Sequence, residues 1–111
     1  MIDKCRILYD DDDPDDREMM QSVFQPHPAF RLATFENGQE LLDYLAKVDV
    51  AEICLIQLDV NMPKLGGVET LKAIRRDERL KSLDVLMLST STSPIDKERA
   101  ASLQAELLIN R

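Results

Sequence analysis

Short apolar runs recur along the chain and are separated by polar or turn-forming residues. Apolar runs of this length are typical of strands that other elements cover on one or both faces. Five of them predict strands, which are, in chain order, "RILY", "FRLATF", "ICLIQL", "VLML" and "ELLIN". The third run is nearly unbroken, as expected of a central parallel strand with both faces buried.

The segments between these runs place apolar residues at helical spacing. Four helices are predicted, in "PDDREMMQSVFQ", "NGQELLDYLAKV", "VETLKAIRRD" and "SPIDKERAASLQ". The first has a well-defined start, because Asp13 can cap it, Pro14 takes the first helical position, and Asp15 and Asp16 fall in its first turn. Ser93 is expected to cap the last helix.

Strands that alternate with helices imply right-handed crossovers and a parallel sheet with helices on both faces. Residues 1–111 are therefore predicted to form a single α/β domain. Functional groups in such sheets gather at the carboxyl ends of the strands. An acidic run follows the first strand, Asp59 ends the third and Ser89 ends the fourth, so these groups should converge on one edge.

Composition limits the classes of function. Hydrophobic residues make up 44% of the 111 positions and charged residues 32%, a balance typical of a globular domain. The net charge of -7 argues against direct binding of nucleic acid, which depends on Lys and Arg. No apolar run is long enough to cross a bilayer or form a secretion signal, so no membrane association and a cytoplasmic location are expected.

The two cysteines, Cys5 and Cys54, stand before or within predicted strands. Buried, reduced thiols are the expected state in a cytoplasmic protein. A disulfide remains an alternative if the two strands are neighbours.

The acidic run "YDDDDPDD" spans Tyr9 to Asp16. A run of like charges is usually solvated, and the start of the first helix explains part of it. Carboxylates a few ångströms apart nevertheless repel one another by roughly 1–4 kcal/mol per pair, which favours a bound cation. Oxygen ligands select Mg2+ or Ca2+, and counting from Asp10 or Asp11 does not reproduce the glycine and glutamate spacing of a calcium loop. Mg2+ is therefore predicted.

Three motifs, "DDDP", "LDVNMPKLGG" and "LMLSTS", occur in an order and spacing that resemble the receiver domain of two-component response regulators. The resemblance covers essentially the whole chain. It implies a flavodoxin-like, doubly wound fold with a five-stranded parallel sheet in the order 2-1-3-4-5. It also implies a signalling switch controlled by phosphorylation, which supports its own phosphoryl transfer and dephosphorylation but is not otherwise an enzyme.

The resemblance assigns roles to single positions. Asp59 matches the phosphoacceptor, whose carboxylate forms an aspartyl phosphate. Asp11 and Asp12 match the acidic pair that holds Mg2+ together with Asp59, and Asn61 matches the position whose backbone carbonyl binds the metal. Ser89 matches the switch hydroxyl, which turns toward the phosphoryl group and moves the following loop and helix. The implied partners are a separate histidine kinase or phosphotransfer protein and a downstream protein target.

The sequence departs from the family pattern at three positions. Asp10 stands where the family has an apolar strand residue, which leaves two possible alignments. An alignment anchored on Pro14 selects Asp11 and Asp12 as the acidic pair. An alignment anchored on the strand selects Asp10 and Asp11 instead. Arg111 aligns with the family's lysine, and contact with phosphate and free solvation are both open. Leu108 replaces the usual switch aromatic.

The chain also stops where the family continues into a fifth helix. Truncation, or self-association through the surface that this helix would cover, is expected. Two alternative functions remain: a receiver-like interaction module that does not need phosphate, and a metal-dependent hydrolase with Asp59 as its nucleophile. The short chain, without a pocket-forming insertion, argues against the hydrolase.

Overall fold

The computed structural model of the protein describes residues 5–59, 66–89 and 106–109. Eight helices and strands lie within them, in the predicted order: β1 Cys5–Asp10, α1 Pro14–Phe24, β2 Phe30–Phe35, α2 Gly38–Leu45, β3 Ile53–Asp59, α3 Gly67–Arg76, β4 Val85–Ser89 and β5 Glu106–Ile109. A 3-10 turn at Val50–Glu52 precedes β3. The helix that Ser93 was expected to cap lies outside the described residues.

The five strands form one parallel sheet in the order β2-β1-β3-β4-β5, which confirms the predicted order. Asp10, the last residue of β1, pairs with Leu58 of β3. Asp59 therefore lies one residue beyond this pair, and it pairs in turn with Leu88 of β4. This register brings the ends of β1 and β3 side by side.

The hydrophobic core packs one face of the sheet against α2 and α3. Each of these elements contributes fully buried side chains, among them Leu8, Ile56, Leu58, Met87, Leu41, Leu45, Leu71 and Ile74. Each large apolar side chain buried in this way contributes about 1.5–3 kcal/mol. Helix α1 has no buried residue, and its Met19 and Val23 are each 55% exposed although they lie at helical spacing.

The start of α1 agrees with the sequence prediction. Asp13 is the cap residue, and its Oδ1 accepts a hydrogen bond of 2.9 Å from the backbone N–H of Asp15. Pro14 occupies the first helical position and needs no hydrogen bond there. Asp15 and Asp16 lie in the first turn, where the positive end of the helix dipole stabilises them. Half of the acidic run thus belongs to the helix start.

The cysteines differ from the main expectation. Cys5 and Cys54 lie on the neighbouring strands β1 and β3 and form a disulfide, with their Cα atoms 5.6 Å apart. This separation lies within the usual range for disulfides. The register of β1 against β3 shifts between Arg6 and Ile7, which pair with Ile53 and Leu55, so Cys54 is the extra residue of a bulge. Both cysteines are half-buried rather than buried.

Candidate functional site

Three carboxylates meet at the carboxyl edge of the sheet. Asp11 and Asp12 follow β1 directly, and Asp59 is the last residue of β3. One oxygen from each of the three lies within 4.8 Å of the others. Asp11 is buried, Asp59 is half-buried and Asp12 is exposed, so the group is open to solvent on one side. The convergence predicted from the strand ends is therefore present for these residues.

The donor set fits a small, hard cation. All three ligand atoms are carboxylate oxygens, which Mg2+ and Ca2+ prefer. Two oxygens on opposite sides of a magnesium ion lie about 4.2 Å apart, close to the 4.8 Å within which these three oxygens lie. A small side-chain rotation or one water in place of a direct ligand accommodates the difference. The residues present therefore fit Mg2+, with room for water on the exposed side.

Asp11 is held from several directions. Its Oδ1 accepts a hydrogen bond of 3.0 Å from the backbone N–H of Asp13, and its Oδ2 accepts one of 2.6 Å from the hydroxyl of Tyr9. Its backbone is bound as well, since its carbonyl accepts from Arg17 Nη1 at 2.6 Å and its N–H donates to the carbonyl of Phe35 at 3.0 Å. The carboxylate is therefore fixed before any ligand binds.

Tyr9 keeps its proton. Its side chain is only 4% exposed, and burial raises the pKa of the phenol above its ordinary value. The hydrogen bond to Asp11 raises the pKa further, because the carboxylate stabilises the protonated phenol. Negative charges on Asp11, Asp16 and Asp59 act in the same direction. Tyr9 is thus a neutral hydrogen-bond donor to Asp11 at physiological pH.

Asp10 lies deeper than the other acids. It is fully buried, and its Oδ1 accepts a hydrogen bond of 2.9 Å from the backbone N–H of Asp59. Its Oδ2 has no hydrogen-bond partner within the part of the chain that the structure describes. The pKa of Asp10 is raised to about 7, chiefly by burial. The hydrogen bond from the Asp59 N–H acts in the lowering direction, and the negative charges of Asp59 and Asp11 act in the raising direction. Asp10 therefore carries a partly protonated carboxyl at neutral pH.

The alternative pairings of the acidic run can now be compared. Among the described residues, Asp11 and Asp12 bring ligand oxygens to Asp59, whereas Asp10 contacts the backbone of Asp59 from inside the strand. This arrangement corresponds to the alignment anchored on Pro14. In that alignment Asp10 takes the place of an apolar strand residue, and the structure buries its carboxyl there.

The remaining predicted site residues are only partly described. Ser89 is the last residue of β4, at the same edge of the sheet as Asp59. Leu108 lies in β5 and pairs with Leu88. Asn61 and Arg111 lie outside the described residues. Their predicted contacts with metal and phosphate therefore stay predictions.

The sequence reasoning missed Tyr9 and Arg17. A signal for Tyr9 was present, because alternate residues of a strand share a face and Tyr9 stands two positions before Asp11. The Nη2 atom of Arg17 also lies 3.8 Å from Oε1 of Glu36, an ion pair that contributes little to stability because Glu36 is well exposed. The hydrogen bond from Arg17 to the Asp11 carbonyl depends on how α1 packs, which the sequence pattern did not indicate.

The sheet order and the acidic edge define the class of protein: a doubly wound α/β domain with an acidic cluster at the strand ends. Residues 7–111 match the family model of the response regulator receiver domain. The chain belongs to this family. Receiver domains are parts of two-component response regulators and act as signalling switches rather than as classical enzymes.

Three relatives illustrate the similarity. Chemotaxis protein CheV2 of Helicobacter pylori is 38% identical over 77 residues, which cover 68% of this chain and 25% of that protein. The phosphorylated cyanobacterial phytochrome response regulator RcpA is 28% identical with a TM-score of 0.83, covering 96% of this chain and 80% of that one. The Mn2+-bound form of response regulator Rcp1 is 26% identical with a TM-score of 0.80, covering 96% of this chain and 82% of that one.

The match to CheV2 spans a quarter of that protein's length, so the chain corresponds to only a part of it. Receiver domains interact with histidine kinases or phosphotransfer proteins and with downstream targets. They typically bind Mg2+ at an acidic pocket, and an acidic cluster is present here. Within the described residues, no helix is both long and apolar enough to cross a membrane.

Proposed function

We propose that this protein is a phosphorylation-controlled signalling switch in which Asp59 accepts the phosphoryl group. The observation that carries the proposal is the meeting of Asp59 with Asp11 and Asp12 at the carboxyl edge of the sheet, in a chain of the receiver family. The phosphorylated state of RcpA and the Mn2+-bound state of Rcp1, both similar to this chain over 96% of its length, support the same chemistry.

In the proposed reaction a carboxylate oxygen of Asp59 attacks the phosphorus atom of a phosphohistidine on the donor protein. The new P–O bond forms as the P–N bond breaks, and the leaving imidazole takes the electron pair and a proton from water. Asp59 acts as a nucleophile, and hydrolysis of the aspartyl phosphate later restores the carboxylate. No change in oxidation state is involved.

Asp11, Asp12, Asp59 and the backbone carbonyl of Asn61 would hold Mg2+. When bound there, the ion would offset the negative charge of the carboxylates and the phosphoryl group. Asp11, already fixed by Tyr9 and Asp13, supplies a ligand that needs little reorganisation. Asp12 is exposed and can act through water.

The switch itself would follow from the added charge. In this proposal Ser89 binds a phosphoryl oxygen and the loop and helix after β4 rearrange, which changes the surface offered to a downstream protein. Arg111 is a candidate second contact to the phosphoryl group. Residues 1–111 would act as one receiver domain in the cytoplasm, with phosphate supplied by a histidine kinase or phosphotransfer protein.

Intact-mass analysis after incubation with acetyl phosphate tests the proposal. The wild type is expected to gain one phosphoryl group in the presence of Mg2+ and none in EDTA. The D59N variant should gain none, while D43N, which alters an exposed carboxyl on α2, should behave as the wild type. A folded wild type that gains no adduct, or a D59N variant that gains the same adduct, would contradict the assignment and favour a phosphate-independent interaction module.

A further inference from the structure

Tyr9 brings a hydroxyl group to the acidic edge from inside the sheet. It is the penultimate residue of β1, its ring is buried, and its hydroxyl donates to Asp11 Oδ2 at 2.6 Å. It stands two residues before Asp11, on the strand that leads into the acidic cluster. The short distance marks a strong hydrogen bond between a neutral donor and a charged acceptor.

We propose that Tyr9 is a positioning residue for the metal ligand Asp11, whose carboxylate it orients, and that its hydroxyl thereby sets the affinity of the site for Mg2+. The inference rests on the proposed function in that Asp11 binds the metal. It goes further by assigning control of that affinity to a side chain that does not touch the metal.

The geometry supports a positioning role because both carboxylate oxygens of Asp11 accept hydrogen bonds. The Asp13 N–H holds Oδ1 from the loop, and the Tyr9 hydroxyl holds Oδ2 from the strand. Rotation of the carboxylate about its last side-chain bond would break both hydrogen bonds. The buried ring of Tyr9 cannot follow such a rotation, since its position is fixed by packing.

The charge of the donor also matters. Tyr9 brings no positive charge to the cluster, so it orients Asp11 without reducing the net charge that attracts a divalent cation. Hydrogen bonds from such outer partners to metal ligands typically change metal affinity by about 10- to 100-fold.

Isothermal titration with Mg2+ provides the first test. The Y9F variant keeps the ring and removes only the hydroxyl, and we expect its Mg2+ dissociation constant to rise about tenfold or more. The matched control is Y44F, which removes the hydroxyl of the other tyrosine, a side chain of α2 that bonds to Arg6. Y44F should bind Mg2+ as the wild type does. Equal affinity of Y9F and wild type would overturn the inference.

A spectroscopic test does not require Tyr9 to be changed. The protein contains two tyrosines and no tryptophan, so Tyr9 is the sole tyrosine emitter in Y44F. Mg2+ binding at Asp11 alters the acceptor of the Tyr9 hydroxyl, and the emission of Y44F is expected to change along the same titration curve as the heat. Emission that stays constant while heat shows binding would count against the inference, even if Y9F proves poorly folded.

The two proposals can fail separately. If the wild type binds Mg2+ and is phosphorylated but Y9F matches it, the receiver function stands and the role of Tyr9 is wrong. If the wild type does not bind Mg2+ at all, the proposed function fails and this inference with it. The D11N variant is the reference for loss of the ligand, and melting of each variant in EDTA separates effects on folding from effects on binding.

Discussion

Replacing Asp10 with asparagine is expected to stabilise the protein at pH 8 far more than at pH 4. The carboxyl is fully buried, and burial raises its pKa to about 7 from the ordinary 3.8. Asparagine has nearly the same shape and keeps an oxygen to accept the hydrogen bond from the Asp59 N–H. The substitution therefore removes the ionisation of Asp10 with little change in packing.

The sign follows from proton binding. Between pH 4 and pH 7 the folded state holds a proton on Asp10 that the unfolded state has released, so the stability of the wild type falls as pH rises through this window. The difference of about 3 pKa units, from 7 to 3.8, corresponds to about 4 kcal/mol at 1.36 kcal/mol per unit. This decrease in the unfolding free energy of the wild type is complete just above pH 7, and D10N does not show it because asparagine does not ionise.

Urea denaturation of wild type and D10N from pH 4 to pH 8, in EDTA, measures the effect. The difference in unfolding free energy between the two should grow by about 2–4 kcal/mol in favour of D10N as pH rises. Other groups titrate in both proteins and largely cancel in this difference. D43N, with an exposed carboxyl, should give a flat difference from the wild type. A flat difference for D10N as well would refute the reasoning that Asp10 is buried with a raised pKa.

Three further predictions concern the fold and use urea denaturation at fixed pH. The core variant L8A should lose about 2–5 kcal/mol of unfolding free energy. V23A, at a 55% exposed position, should change by less than about 1 kcal/mol, and similar losses in the two variants would contradict the assigned burial. D13A should lose about 1 kcal/mol, because it removes the side-chain cap of α1, and an unchanged midpoint would argue against that cap. A thiol reductant should lower the unfolding free energy of the wild type by about 2–4 kcal/mol, because the disulfide joins residues 49 apart. The reductant should leave C54S unaffected, and an equal effect on both proteins would count against the disulfide.

The repeated pattern of apolar runs and amphipathic segments was sufficient for most of the fold. β2 was predicted with its observed bounds, and the cap at Asp13 was found because the residue types required at a helix start are local in sequence. The order of the strands came from the family resemblance, since periodicity does not say which strands are neighbours. The exposure of Met19 and Val23 was not indicated by helical spacing, which does not reveal how much of the sheet a helix covers.

The sequence also predicted the acidic residues of the site, but not the contacts around them. Convergence of Asp11, Asp12 and Asp59 follows from a general property of parallel sheets, and the described geometry agrees with it. The roles of Tyr9 and Asp10 were missed because each depends on a contact of a few ångströms that residue types alone do not determine. The disulfide was open only as an alternative, because it requires that β1 and β3 be neighbours.

The length of the acidic run has a structural basis of its own. Asp11 accepts a hydrogen bond from the N–H of Asp13, and Asp13 accepts one from the N–H of Asp15, so two successive turns of the same spacing lead from the metal-ligand candidate into α1. One residue more or less between Asp11 and Pro14 would separate the helix cap from the carboxylate that faces Asp59. The segment should therefore accept substitutions that leave these hydrogen bonds intact, whereas an insertion or a deletion should disrupt the cluster.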